Sequence, residues 1–298
     1  MSVPRIPYDD SASSLTHPGD ATDFFPLGSE TSDVGLCVEM ARLAYVKYEK
    51  PDLKRKVDTE FLPRVRFASS SIMDVGGTQA IVADGETRES GAVRVIAFRG
   101  TEPDDPRDVI DDLKFPPTSW PAGGKVHSGF AGAFERVKGP TLTAIGGSGS
   151  GRKVFLTGHS LGAALATLAA SLAPQVRLVT FGSPRVGDTA FTSLVAPARH
   201  IRFVDYLDVV TRLPPDQALN FVHAGGGHFI DRDGTMLAEL SDTEIIQRQA
   251  KAGSVSWTMA ELIIRIRLAA KGLGRIPIRD LSDHAPINYT SGVLGIRA

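Results

Sequence analysis

The chain predicts an α/β fold with a mostly parallel central sheet flanked by helices, and three observations carry that expectation. Strand-like and helix-like segments alternate along residues 93–204, which is the pattern of parallel strands joined by crossover helices. Apolar residues make up 42% of 298 and the net charge is −1, so a large core can form and a disordered chain is excluded. No repeat and no convincing linker interrupts the pattern. This predicts one domain over residues 31–298, preceded by a polar, proline-rich arm over residues 1–30 that lies on the surface.

Each element has a local reason. Ser32 or Asp33 caps a predicted helix that runs to about Lys50 and is stopped by Pro51, with Leu36, Met40, Leu43 and Ala44 on one face. β-type runs follow at 65–67, 79–83 and 93–98, separated by the turn formers Gly76-Gly77 and Asp84-Gly85. A helix is expected over 126–137 after a Gly-Gly turn, then a Gly/Ser loop over 146–151. A β-branched and aromatic strand at 153–157 leads to an Ala/Leu-rich helix over 161–172 that Pro174 ends. Strands at 176–181 and 201–204 come next. Two later helices are expected near 242–251 and 257–271.

Composition excludes several functions. One cysteine, Cys37, forms neither an intrachain disulfide nor a Cys-rich zinc site. The near-zero net charge gives no general pull toward nucleic acid. No uninterrupted apolar stretch of about 18 residues predicts a transmembrane segment. Residues 1–20 lack the apolar run of a secretory leader, which predicts a cytoplasmic protein. Charge is nonetheless local: Glu102, Asp104, Asp105, Asp108, Asp111 and Asp112 cluster, and the second half carries a basic surplus.

The most informative residues are Gly158-His159-Ser160-Leu161-Gly162, a G-x-S-x-G pattern. Alone it is weak. Here a strand runs into it and a helix leaves it, the strand–turn–helix context that exposes a serine hydroxyl above a sheet and aims helix N–H groups at the same point. Such a hydroxyl needs a general base oriented by a carboxylate, in the chain order serine, acid, histidine. Downstream acids that come before the long insertion include Asp188, Asp205, Asp208 and Asp216. Downstream histidines are His200, His223, His228 and His284. Spacing does not choose among them.

Six blocks then resemble the class 3 lipase family, the α/β-hydrolases typified by fungal triacylglycerol lipases. They are Ala97-Phe98-Arg99-Gly100-Thr101, Val126-His127-Ser128-Gly129-Phe130, the stretch from Thr157 to Ala164, the stretch from Thr180 to Gly187, the stretch from Asp208 to Pro215, and Asp283-His284 with Tyr289 following. The resemblance implies an α/β-hydrolase fold with a short lid segment over 102–124. It makes Ser160 the nucleophile, Asp208 the orienting carboxylate and His284 the general base, with His223 and His228 as runners-up for the base. It gives the oxyanion hole to the backbone N–H groups of Leu161 and Thr101. His159 is expected to pack under the serine, and His127 to brace the oxyanion loop.

In the lid segment Val109, Ile110 and Leu113 share one helical face, opposite Asp108, Asp111 and Asp112, as an amphipathic flap would. Val109 stands where the family often has Trp, a departure that argues against strong interfacial activation. A second departure is a longer, partly cationic helical insertion over 237–275, expected to pack over the acyl pocket or sheet edge or to contact an anionic lipid surface. The lone cysteine is the third, and makes the chain look like an intracellular or prokaryotic-type member. The implied function is triacylglycerol hydrolysis through an acyl-enzyme, with a lipid or small ester as substrate, transient contact with a lipid interface, and no metal or cofactor. The alternatives are a short-chain or aryl esterase, a phospholipase A1, an acyltransferase, or a noncatalytic binding module on the same fold.

Overall fold

A computed structural model of the chain describes residues 4–28, 31–100, 116–147, 151–214, 220–252 and 281–298. Its strands are β1 (Phe67–Val75), β2 (Thr78–Thr87), β3 (Gly91–Phe98), β4 (Pro117–Ser119), β5 (Lys125–His127), β6 (Lys153–His159), β7 (Arg177–Phe181), β8 (Gly187–Asp188), β9 (His200–Asp205), β10 (Phe221–Val222), β11 (Gly227–Ile230) and β12 (Met236–Leu240). Its helices are α1 (Ala12–Thr16), α2 (Asp33–Leu43), α3 (Pro51–Lys56), α4 (Ser128–Gly146), α5 (Leu161–Leu172), α6 (Thr189–Thr192), α7 (Asp242–Lys251) and α8 (Pro286–Val293).

Eight strands form the main sheet in the order β1-β2-β3-β6-β7-β9-β11-β12. The run from β3 through β6, β7 and β9 to β11 is parallel, and both margins are antiparallel. A small second sheet, β10-β8-β5-β4, stands beside it. Helices cover both faces, as parallel strands buried on both sides require. Alternate residues of β3 divide between two cores: Val93, Val95 and Ala97 face Leu36, Met40 and Leu43 of α2, whereas Ile96 and Phe98 face α4 and α5. The expected fold class and central alternation therefore stand.

Several expected boundaries shift, each for a tertiary reason. The first helix ends at Leu43 rather than Lys50, and Pro51 opens α3 at its first turn, where a missing N–H costs nothing. The turn between them sends the Tyr45 hydroxyl under the main sheet, to His159. Asp84-Gly85 does not separate strands; it lies inside β2, because Gly85 passes so close to Phe67 that a Cβ there would sit 2.3 Å from the ring. Val65 ends a short 3-10 helix and the strand begins at Phe67. Residues 125–127 form a strand before α4, which then runs past Pro140 to Gly146. The last part of the 102–124 segment is the β4–β5 hairpin, anchored by buried Trp120, whose ring lies 6.0 Å from that of Phe134 and whose indole N–H donates to Ser171 Oγ at 3.0 Å. The helix over 242–251 forms with a capping box, Ser241 and Glu244 each bonding the other's backbone N–H. The helix near 257–271 lies outside the described residues.

The N-terminal segment crosses the surface and then enters the core at Phe24 and Phe25, which are fully buried. A charge cluster, buried at Arg42 and Glu39 and exposed at Asp23, holds that entry. Arg42 pairs with Glu39 at 2.9 Å and Asp23 at 2.9 Å and stacks over the Phe24 ring, while Glu39 Oε1 accepts the Phe25 N–H at 3.1 Å. Burial pushes the Glu39 carboxyl up, and the Arg42 guanidinium pulls it back. Arg42→Met is expected to cost about 3–5 kcal/mol in urea unfolding, because it strands a buried carboxylate. Arg42→Met combined with Glu39→Gln should recover part of that loss.

Candidate active site

β6 ends at His159 and α5 begins at Leu161, so Ser160 alone makes the turn between them. Its φ is +58° and its ψ −126°, a conformation costing about 1–3 kcal/mol for a residue with a β-carbon. Two glycines permit it. A Cβ on Gly158 would meet the Gly162 carbonyl carbon at 2.3 Å, and one on Gly162 would meet the Phe98 carbonyl oxygen at 2.2 Å. The Ser160 N–H donates to the Phe181 carbonyl at 3.1 Å on neighbouring β7, and its own carbonyl accepts the Ala163 N–H at 3.0 Å. The hydroxyl stands at the carboxyl end of the parallel strands, where α/β sheets place their sites.

Asp208 follows β9 and His284 precedes α8. The sheet order puts β9 two strands from β6, and the structure brings both residues to Ser160. His284 Nε2 lies 2.9 Å from Ser160 Oγ, and its Nδ1 lies 2.8 Å from Asp208 Oδ2. With Nδ1–H donating to the carboxylate, Nε2 is left to accept the serine proton. All three are buried. A buried carboxylate is tolerable only when hydrogen-bonded. Besides His284, Asp208 accepts the Tyr289 O–H at 2.6 Å and the Val210 N–H at 2.9 Å. Burial, and then the Asp208 charge, push the Tyr289 hydroxyl well above its usual range, which keeps it a donor.

Beneath the triad lies a second polar layer. The His159 Nε2–H donates to the His284 carbonyl at 2.7 Å, and the Tyr45 O–H donates to His159 Nδ1 at 2.9 Å. The rings of His159 and His284 are 4.5 Å apart. Burial, reinforced by His284, holds His159 well below the usual histidine value and therefore neutral. Nothing in the sequence marks Tyr45, which is 114 residues from His159. Tyr289 was visible as part of the last motif, but its bond to Asp208 was not.

The other candidates are engaged elsewhere. Asp188 caps α6 through the Phe191 N–H, and Asp205 pairs with Arg297. His200 meets Thr180 Oγ1, the His223 Nε2–H donates to the Thr211 carbonyl at 2.7 Å, and half-buried His228 packs on Phe203. His127 is buried, its ring 4.2 Å from that of Phe130. Leu161 occupies the first position of α5, where its N–H has no intrahelical acceptor, and lines a cleft of about 620 Å³. Phe130, Ala133 and Leu165 form an apolar wall of this cleft; Gln79, Arg99 and Arg136 line its polar side. Thr101, Val109, Ile110 and Leu113, together with Asp216 and most of the 237–275 insertion, lie outside the described residues.

A family model described as "Lipase (class 3)" matches residues 95–218. A lipase of Rhizomucor miehei is 35% identical over 188 residues, covering 58% of this chain and 49% of that protein. The secreted mono- and diacylglycerol lipase A of Penicillium cyclopium is 28% identical over 192 residues, 60% of each chain. The chain thus spans about half to three-fifths of the length of these curated relatives. A solved triacylglycerol lipase, whose catalytic centre is described as a serine protease triad, superposes with a TM-score of 0.55 and 26% identity, over 75% of this chain and 88% of that one. These findings overturn the cytoplasmic expectation and the intracellular reading of the lone cysteine, since the matched relatives include a secreted enzyme. An apolar leader and a disulfide count describe an export route and a redox history, and the residues that build the site depend on neither. Among the described residues no helix is long and apolar enough to cross a membrane.

Buried and partly buried histidines set an acid limit on stability. Burial lowers His200 and His223 to about 3, and His159 and His228 are also held down. The unfolded chain takes up protons near pH 6.5 and the folded one does not, so stability is complete above that value and lost as pH falls below it. The expected loss at about pH 5 is roughly 1–2 kcal/mol for each of His200 and His223. His223→Gln should flatten the slope of Tm against pH over that window.

Proposed function

We propose that this chain, which belongs to the class 3 lipase family, is a serine carboxylic-ester hydrolase that cleaves acylglycerols through an acyl-enzyme. The observation that carries the proposal is the continuous bonded series from Ser160 Oγ through His284 to Asp208, at 2.9 and 2.8 Å, on a strained strand-to-helix turn. In this reading Ser160 Oγ attacks the ester carbonyl as His284 Nε2 takes its proton. The oxyanion gathers at the N–H of Leu161, with Thr101 supplying the second donor. His284 then returns the proton to the departing alcohol. A water, deprotonated by the same nitrogen, attacks the acyl-enzyme and releases the acid. Asp208 holds the Nδ1–H tautomer and stabilises the transient imidazolium.

The acyl chain would lie along Leu161, Leu165, Phe130 and Ala133 in the adjoining cleft. Val109, Ile110 and Leu113 keep the lid role that the resemblance gives them, within one catalytic domain over 31–298. A phospholipase A1 activity is the second reading, favoured by one observation. The cleft's polar side carries Arg99 and Arg136, and Arg136 has no carboxylate within ion-pair distance among the described residues.

The test is hydrolysis of p-nitrophenyl esters from acetyl to palmitoyl, and of a triacylglycerol against a phosphatidylglycerol dispersion. Ser160→Ala should cost about 10⁶-fold in kcat and Asp208→Asn about 10⁴-fold. Turnover by Ser160→Ala equal to wild type would sink the nucleophile assignment. His284→Ala should abolish turnover, whereas His223→Ala should retain it.

A further inference from the structure

We propose that the N-terminal segment around residues 6–9 is a positioning element of the active site, acting through Asp283; this rests on the roles proposed above for Asp208 and His284. Asp283 immediately precedes His284 and is 1% exposed. Its two oxygens are spent on two different parts of the chain. Oδ1 accepts the Tyr8 hydroxyl at 2.6 Å, and Oδ2 accepts the N–H of Leu207 at 2.9 Å. Leu207 immediately precedes Asp208. One buried carboxylate therefore ties the N-terminal segment, the loop of the orienting acid and the turn of the base into a single node. The base and acid are 76 residues apart in sequence, and Tyr8 is 275 residues from Asp283.

The segment is itself firmly seated, so the tie can transmit position. The Ile6 N–H donates to the Ile296 carbonyl at 2.9 Å, and the Ala298 N–H donates back to the Ile6 carbonyl at 3.0 Å. The Asp9 N–H donates to Asn288 Oδ1 at 2.9 Å, and Asn288 Nδ2 donates to the carbonyls of Asp9 and Ser282, each at 2.8 Å. Arg297 lies over the Tyr8 ring at 5.7 Å and also bonds Asp205 Oδ1 at 3.1 Å. Asp205 in turn accepts the Asp208 N–H at its carbonyl, at 3.0 Å, and donates its own N–H to the Tyr289 hydroxyl at 3.0 Å. The N-terminal segment thus reaches Asp208 by two routes and His284 by one.

Tyr8 touches no reacting atom, so its effect is on geometry. A displacement of about 1 Å at a catalytic group can cost on the order of 10²-fold in rate. Loss of one hydroxyl that leaves the rest of the segment in place should cost less. Tyr8→Phe is expected to lower kcat on a soluble ester by about tenfold with KM within about twofold, at a temperature far enough below Tm that the few degrees lost with the hydrogen bond leave the enzyme fully folded. Asp283→Asn should cost more, since its amide turns a donor toward either Tyr8 or Leu207 while keeping the side chain's size.

A readout independent of turnover is the downfield proton NMR signal of the His284 Nδ1–H held by Asp208, identified by its loss in His284→Ala. It should broaden and exchange faster in Tyr8→Phe. Unchanged kcat and an unchanged signal in both variants would overturn the inference, as would a loss of activity that only follows a loss of Tm. A wild type that hydrolyses no ester, with the NMR signal still responding to Tyr8→Phe, would sink the proposed function and leave the positioning role standing.

Discussion

The strained backbone of Ser160 is the constraint on which the site depends. A φ of +58° at a residue with a β-carbon persists only when its surroundings leave no alternative. Here the parallel ladder from β3 to β6 to β7 fixes the incoming strand, and α5 fixes the outgoing direction. The contacts of Gly158 with Gly162, and of Gly162 with Phe98, close the space in which the turn could relax. The energy to hold it comes from a sheet buried on both faces, with separate apolar cores against α2 and against α4 and α5. The core is thus the support for one serine conformation as well as the source of stability.

The second demand on the fold is electrical. A buried carboxylate and two buried histidines lie within a few ångströms, and each has to be satisfied by hydrogen bonds. Asp208 is held by His284, Tyr289 and the Val210 amide. His159 is held between Tyr45 and the carbonyl of His284. The donors of that set tie together α2's exit turn, β6, the loop after β9, the segment entering α8 and α8 itself. The hydrogen bonds of the proposed active site and the fold-closing hydrogen bonds are here the same bonds. Electrostatic preorganisation of this kind needs no reorganisation at the moment of reaction.

Burial also shapes what surrounds the site. The Glu39–Arg42–Asp23 cluster seats Phe24 and Phe25, and the Asp205–Arg297 pair closes the two chain ends against β9. Such pairs add little stability over apolar packing, yet each becomes costly once a partner is lost. They therefore specify how the ends of the chain pack, and the ends pack directly behind Asp208 and His284.

The sequence by itself determined the parts whose cause is local. Alternating patterns announced the parallel sheet. The glycines flanking Ser160 announced the strand–turn–helix, and the helices expected at 161–172, before Pro174, and near 242–251 form over those residues. Local patterns failed where a distant group decided: Gly85 reads as a turn former and serves as clearance for Phe67, and Pro51 reads as a stop and serves as a start. For the site, motif order left several acids and histidines open, and the family resemblance implied Asp208 and His284. Only the tertiary structure brought them to Ser160, and only it revealed Tyr45 and Tyr8 behind them and the bonds that Tyr289 and Asp283 make there. The reason is physical. A nucleophile turn is a property of five consecutive residues, whereas a hydrogen-bonded support is a property of groups up to 275 residues apart that meet only once the sheet has formed.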